Sequence, residues 1–405
     1  MKVQFSILIL AVTIAVFSGC AKQAITTTSQ LPYASKLKSS ASIRSSWPAV
    51  YLTVYQSPGQ TGSSTQLLDG VIYEGTGGTG SGFQPLPTGF DNTIQSFTLP
   101  QGYMATFAEN VDGTGQSITY VAAVSDINQN LPSRLVNNVS FVRMLPVANV
   151  TKKGTAYIDT NVVSVLNADW YYNWNDSVKY YTTTHEFVPM TWGKKAATAG
   201  IASYFIGLTG IDHILSFNEP DNTSQSNIPV DTAVNRYKVM LSTGLRLGAP
   251  AVQQGNAFGS GKWLTLFMAG AAAQNERVDF IPIHWYDWGN QTQILSTDSL
   301  TANAVLNRFK TYITNVHNNY PSQMIWITEF NANPNRTNSN VHEIFMRNAA
   351  IWLNAQSYVE RYSYFFPNVL PPTTGASGGY TLTSIGTAWL NIVSTSAYAA
   401  NIIPN

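Results

Sequence analysis

From residue 148 to its end the chain repeats one pattern, an apolar run that closes on a burst of polar and aromatic residues. Eight runs are predicted as strands, over 154–159, 169–174, 187–192, 213–218, 247–252, 279–286, 324–330 and 360–366. Six of them carry the burst: ADWYYNW, FVPMTWG, LSFNEPD, IPIHWYDW, IWITEF and YSYFFPN. Between strands, 234–247 and 302–317 carry apolar residues at three- and four-residue steps, the period of a helix. Strands alternating with helices predict an α/β fold, and the length suits a (β/α)8 TIM barrel of roughly 250 residues. The spacer between Asp159 and Asp169 is short for a helical crossover.

Residues 48–147 read differently. They are Gly-rich, alternate as strands do, and contain a repeat. YLTVY at 51–55 followed by Gly62 is similar to YMATF at 103–107 followed by Gly115. Two units of about 50 residues predict an all-β sandwich of two Greek keys with its own core, separable from 148–405. The stretch from Asp91 to Tyr103 resembles the βγ-crystallin family. That resemblance implies weak calcium binding through oxygen ligands in the Asp/Asn-rich loops. Gln95 and Val136 depart from the pattern, and a calcium-free structural or sugar-binding sandwich is the alternative.

The first residues form a third region. Lys2 precedes an apolar run from Phe5 to Phe17, which ends at Ser18-Gly19-Cys20. The run is short of the roughly 20 residues that span a bilayer, so 1–19 reads as a signal peptide. Small residues before a cysteine resemble the bacterial lipobox. The resemblance implies acylation of Cys20, export, and a membrane-anchored lipoprotein at the outer membrane or cell surface. Residues 20–47, rich in Ser, Thr, Ala and Lys, read as a tether.

Composition narrows the partners. Lys+Arg is 22 against Asp+Glu 21, a balance that excludes nucleic acid as an expected partner. Charged residues are 11%, against roughly 25% in an ordinary soluble domain. Amides, hydroxyls and aromatic rings fill the difference, which suits a neutral carbohydrate. A lone cysteine and five histidines without ligand spacing predict no metal and no cofactor.

The chemistry is expected where the bursts converge, because parallel strands point their carboxyl ends to one face. Glu219 ends the fourth predicted strand and Glu329 the seventh. Retaining glycoside hydrolysis needs two such carboxyls roughly 5–5.5 Å apart, one to donate a proton and one to attack the anomeric carbon. A single glutamate at a strand end is more often a salt bridge or loop cap; the pair on one face is not. FNEPD at 217–221, VDFIPIHWY at 278–286, WITEF at 326–330 and VERYSYF at 359–365 resemble glycoside hydrolase family 128. The resemblance implies an endo-β-1,3-glucanase of a retaining clan, with Glu219 as acid/base and Glu329 as nucleophile. Ser216 stands where that family's motif has Gly. Asn218 is expected to bind the sugar 2-hydroxyl, with a turn-capping amide as its bland alternative. His284 and Tyr286 are expected to orient Glu329 or bind substrate. Trp170, Tyr172, Trp174, Trp192, Trp285 and Trp288 are candidate sugar platforms, about half of which alternation sends outward. Trp326 is expected in the core, on the opposite side from Glu329. Retaining enzymes of β-1,4 or mixed linkage, and a non-catalytic carbohydrate-binding lipoprotein, are the rival readings.

Overall fold

The computed structural model describes residues 49–76, 83–178, 185–376 and 379–404. Cys20, the apolar leader and the tether lie outside the described residues. Among the described residues, no helix is long and apolar enough to cross a membrane.

Nine strands come first: β1 (Tyr51–Ser57), β2 (Thr61–Leu68), β3 (Ile72–Glu74), β4 (Gln84–Pro85), β5 (Ser96–Leu99), β6 (Tyr103–Ala108), β7 (Ser117–Ala122), β8 (Ile127–Asn130) and β9 (Phe141–Pro146). They form two sheets, ordered β2-β1-β5-β8 and β4-β3-β9-β6-β7, antiparallel apart from β3-β4. Leu52, Val54, Phe97 and Leu99 of the first sheet and Ala105, Phe107, Tyr120, Val142 and Met144 of the second share one buried core. Alternation decides this, since inward residues fall every second position. The repeat predicted from sequence also reappears in the backbone: Asn92 and Asn137 both take the left-handed conformation, at φ 56° and 57°. Asp91, the expected calcium-loop carboxylate, accepts from the Ser140 hydroxyl at 2.6 Å and from the Thr76 amide at 2.9 Å.

Eight parallel segments follow: β10 (Lys153–Ala156), β11 (Trp170–Tyr172), β12 (Glu186–Phe187), β13 (His213–Ile214), β14 (Arg246–Leu247), β15 (Phe280–Tyr286), β16 (Met324–Asn331) and β17 (Val359–Tyr364). Six pair in the order β12-β11-β10-β17-β16-β15, and β13 pairs with β14. Single parallel bridges Met190↔Leu215 and Gly248↔Phe280 connect the pair to β12 and β15. Each segment overlaps its predicted run, but β12 and β14 meet theirs at one residue each, Phe187 and Leu247, and β16 runs one residue further than predicted. Helices α1 (Thr160–Val165), α2 (Ala199–Gly207), α3 (Val230–Met240), α4 (Trp263–Ala273), α5 (Asp298–Asn319), α6 (Ser339–Asn354) and α7 (Ser384–Leu390) follow each of them except β11, among the described residues. The short spacer after β10 holds α1, six residues capped by the Asp159 side chain. The region is α/β with a parallel sheet.

The N-terminal edge of this sheet buries charge. Arg246 grips Glu360 through two bonds of 2.7 and 3.0 Å, and Arg361 lies 2.8 Å from Glu186. His213 donates from Nδ1 to Asp212 at 2.6 Å and accepts at Nε2 from Arg246 at 2.8 Å. A guanidinium only donates, so this contact fixes the ring tautomer. Glu186, Asp212 and His213 gather closely enough to hold a metal. The two guanidiniums already supply the positive charge a cation would bring. Above this layer the rings of Trp170, His213, Phe280 and Trp326 pack together, at centroid distances of 5.3, 5.0 and 4.2 Å from Trp326. Gly154 permits the Trp170 indole to lie on β10; a Cβ there would sit 2.1 Å from the ring.

The β-sandwich docks on that same edge. Thr106 donates to the Gly244 carbonyl at 2.8 Å, and Arg143 donates to the carbonyls of Thr243 and Ile206. The Ala148 amide donates to Asp212, and Val121 bridges Ile402. Met104, Val121 and Leu145 join the core of the parallel region. Residues 206, 212 and 243–244 all lead into strands, so the sandwich lies away from the strands' carboxyl ends.

Removing one partner of a buried ion pair leaves the other charge uncompensated. Glu360→Ala is expected to cost about 3–5 kcal/mol of stability, read as a lowered denaturant midpoint with unchanged slope. A half-buried control, Glu343→Ala at a loose 3.9 Å pair with the exposed Arg347, is expected to change it little.

Candidate active site

The carboxyl ends of the parallel strands carry the second buried polar cluster. Glu219 follows β13, where its amide donates to the Ala251 carbonyl at 2.7 Å. Its φ is +40°, a left-handed backbone that costs a β-carbon residue energy. Glu329 lies within β16. The β15/β16 register runs Ile283↔Ile327 and then His284↔Glu329, skipping Thr328. One extra residue reverses side-chain alternation. Trp326 is core, as expected. The bulge lets it share with Glu329 the side where strands β11, β13 and β15 meet, which corrects the opposite placement that simple alternation predicts.

One imidazole touches both carboxylates. His284 Nδ1 lies 3.1 Å from Glu219 Oε1, and Nε2 lies 3.5 Å from Glu329 Oε1. Both neighbours are acceptors, so a ring with two N–H groups fits the gap. Burial opposes the ring's charge, but Glu329 and Glu219 outweigh it and hold the His284 pKa above the ordinary value. Burial likewise works to raise Glu219. The hydrogen bond and charge of His284, with a bond from Asn222, overcome it and hold Glu219 below the usual glutamate range. Glu329 collects further donors: Tyr172 Oη at 3.0 Å, Trp174 Nε1 at 2.8 Å, and the Tyr286 hydroxyl on Oε2. An ionised carboxylate offers about four acceptor sites, and these three donors meet it from β11, the segment just after it and β15.

The other sequence candidates divide. Asn218 is buried beside Glu219, and its Oδ1 has no hydrogen-bond partner. That orphan acceptor suits a ligand hydroxyl better than a turn cap. Tyr172 and Trp174 hold Glu329 instead of offering flat faces. Trp288 is 38% exposed and lines a cavity of about 300 Å³ with Glu219, His284 and Tyr286. Trp192 is half-buried against the core, and its carbonyl accepts from the Asn218 amide. Trp170 and Trp285 are corrections. Trp170 is fully buried in the inner layer, bonded to the Lys152 carbonyl. Trp285 faces the helices, packing on Phe309 and Phe345. Position alone decides their burial: one lies too early on β11, the other one residue out of phase with His284.

The sequence reading missed Asn222, Gln253, Gln254, Asn256 and Lys262, which line the same cavity. Gln254 Oε1 accepts from the Tyr286 amide at 2.8 Å, and Asn256 donates to Asp221 at 2.8 Å. The run QQGN directly after the fifth predicted strand was the available signal.

A family model described as glycosyl hydrolase catalytic core matches residues 149–389. The chain belongs to that family. Among solved structures, it is similar to a GH128 (subgroup I) endo-β-1,3-glucanase from Amycolatopsis mediterranei in complex with laminaritriose. The two are 32% identical over 60% of this chain and 100% of that one, with a TM-score of 0.52. A variant of that enzyme in complex with laminaripentaose is 33% identical over 60% of this chain and 100% of that one, with a TM-score of 0.51. A GH128 (subgroup III) curdlan-specific exo-β-1,3-glucanase from Blastomyces gilchristii is 30% identical over 60% of this chain and 98% of that one, at a TM-score of 0.46. No curated protein matches the chain. It is an O-glycoside hydrolase, and the parallel region carries that chemistry.

The two tryptophans of the WYDW run separate substrate contact from packing in this glycosyl hydrolase. Trp288→Ala is expected to raise KM with little change in melting temperature. Trp285→Ala is expected to cost about 3–5 kcal/mol of stability while leaving KM of the folded fraction unchanged. Thermal melts and initial rates on the same preparations distinguish the two.

Proposed function

We propose that the chain is a retaining endo-β-1,3-glucanase, with Glu219 as general acid/base and Glu329 as nucleophile. The observation that carries this reading is the single imidazole of His284 in contact with both carboxylates at the carboxyl ends of parallel strands. On this reading the eight parallel segments are the staves of a (β/α)8 barrel, and the pair sits on its fourth and seventh strands. The Amycolatopsis enzyme holds laminari-oligosaccharides and is matched over its whole length, which supports a β-1,3-glucan substrate.

In the first step Glu329 attacks the anomeric carbon as Glu219 gives its proton to the departing glycosidic oxygen. Tyr172, Trp174 and Tyr286 hold the attacking carboxylate in place. Asn218 Oδ1 accepts from the 2-hydroxyl. As Glu329 becomes an ester, His284 loses one charged neighbour. In the second step Glu219 takes a proton from water, which attacks the same carbon, and the configuration is retained.

The sign of the pH dependence follows. Glu219 must be protonated to cleave an unactivated bond, yet it is held below the ordinary range. Hydrolysis of polysaccharide is therefore expected to be greatest at acid pH and to fall as pH rises through that ionisation. An aryl glycoside with an activated leaving group needs no proton, and its cleavage step is expected to lack this limb.

Azide separates the two roles. Glu329→Ala is expected to be inactive on polysaccharide and aryl glycoside alike, and azide is expected to restore turnover with inverted product. Glu219→Ala is expected to form the intermediate from an activated aryl glycoside, with azide giving the retained product. The opposite stereochemistry would exchange the roles. Losses below about a hundredfold on polysaccharide for both variants would place the active site elsewhere and favour the binding-protein reading.

We read the sandwich as βγ-crystallin-like on its repeat, and the leader as a lipoprotein signal on Phe17-Ser18-Gly19-Cys20. Acyl chains contribute about 0.8 kcal/mol per buried methylene, and more than one gives stable anchoring. Wild-type protein is expected in the membrane fraction and Cys20→Ala in the soluble or precursor fraction. Identical fractionation would remove the anchor.

A further inference from the structure

We propose that Asn222 is a positioning residue of the acid/base, holding Glu219 Oε2 as an ionised acceptor and thereby setting the pH at which the chain works; this rests on the role proposed for Glu219. The turn builds the contact. With Glu219 at positive φ, the segment Glu219-Pro220-Asp221-Asn222 reverses, and the Asn222 amide donates to the Glu219 carbonyl at 3.0 Å. The Asn222 side chain is thereby carried back over the carboxylate, and its Nδ2 lies 2.9 Å from Oε2.

The orientation of this amide is fixed from behind. Asn222 Oδ1 accepts from the Ser224 backbone amide at 2.9 Å. A backbone N–H only donates, so the carbonyl end of Asn222 must face Ser224 and the NH2 end must face Glu219. A donor so locked cannot turn its carbonyl to accept a hydrogen bond from protonated Glu219. It stabilises the carboxylate and opposes the carboxylic acid. His284 occupies Oε1 in the same sense, so both oxygens of the acid/base are met by donors.

The surrounding charges do not duplicate this effect. Glu329 from β16 lies across the His284 ring, and Asp221 from the same turn and Glu219 oppose each other's ionisation. His284 from β15 favours the ionised form, and Lys262 lines the cavity mouth. Tyr286 is committed to Glu329. Asn222 is the neutral donor in this set, and its removal leaves the neighbouring charges in place.

The test compares pH profiles. Asn222→Leu removes both ends of the amide. Asn222→Asp keeps an acceptor for Ser224, and with it the turn, but sets an anion against Oε2. In Asn222→Leu the alkaline limb of kcat/KM on a β-1,3-glucan oligosaccharide is expected to move up by roughly one pH unit, the scale of one charge-assisted hydrogen bond. In Asn222→Asp it is expected to move at least as far. The acid limb for breakdown of the glycosyl-enzyme formed from an activated aryl glycoside is expected to move in the same direction, because Glu219 is the base there. Lowered rates with both limbs unmoved, in either variant that retains the wild-type melting temperature, would overturn the proposal. Glu219→Gln is the independent control. Full activity of that variant on polysaccharide would overturn the role of Glu219 itself, whereas an inactive Glu219→Gln with unmoved Asn222 limbs would sink only the role of Asn222.

Discussion

Two buried carboxylates facing one another are unstable as a pair unless something positive or proton-bearing stands between them. Here that something is the His284 ring, in reach of both Glu219 and Glu329. Much of the surrounding architecture serves this contact. The register skip at Thr328 turns Glu329 toward the ring. The left-handed backbone at Glu219 brings the other carboxylate to it. Tyr172, Trp174 and Tyr286 then converge on Glu329 from β11, the segment just after it, and β15. Parallel strand order makes the convergence possible, since residues more than a hundred positions apart end on one face.

The opposite edge of the sheet solves the same electrostatic problem differently. There the charges are met by fixed guanidiniums and the His213 ring, with no orphan acceptor awaiting a ligand on Asp212 or Glu360. The sandwich closes over this edge through Thr106 and Arg143. Gly244, at φ 64°, lets Arg143 approach, because a Cβ there would meet its side chain at 3.0 Å. The sandwich therefore has its own core and also shares apolar packing with the parallel region through Met104, Val121 and Leu145.

Much of this was legible in the sequence because it rests on short-range rules. Apolar runs, six of them ending in polar bursts, located the parallel segments, and the 51–55 and 103–107 repeat located the sandwich. The glutamates were visible because each closes such a run. The tryptophans were less so. Trp170 and Trp285 differ from Trp174 and Trp288 by a few positions along a strand, and height and phase within the sheet, which composition does not encode, decide which reach Glu329 or the cavity. The bulge at Thr328 was hidden for a related reason: it exists only as a mismatch between two strands. Asn222 and the run 253–256 were missed because their part is played through turns, whose side-chain directions depend on the backbone beneath them.

The backbone at Glu219 has a consequence for how such a protein can change. A residue with a β-carbon at φ +40° is strained where glycine would be relaxed and asparagine nearly so. Selection for robustness alone would thus push this position toward glycine, and on the role proposed for Glu219 selection for turnover holds it at glutamate. On that role stability and catalysis pull in opposite directions at one codon, so a copy of this chain freed from the need to cut sugar would be expected to lose Glu219 early and relax its backbone by doing so.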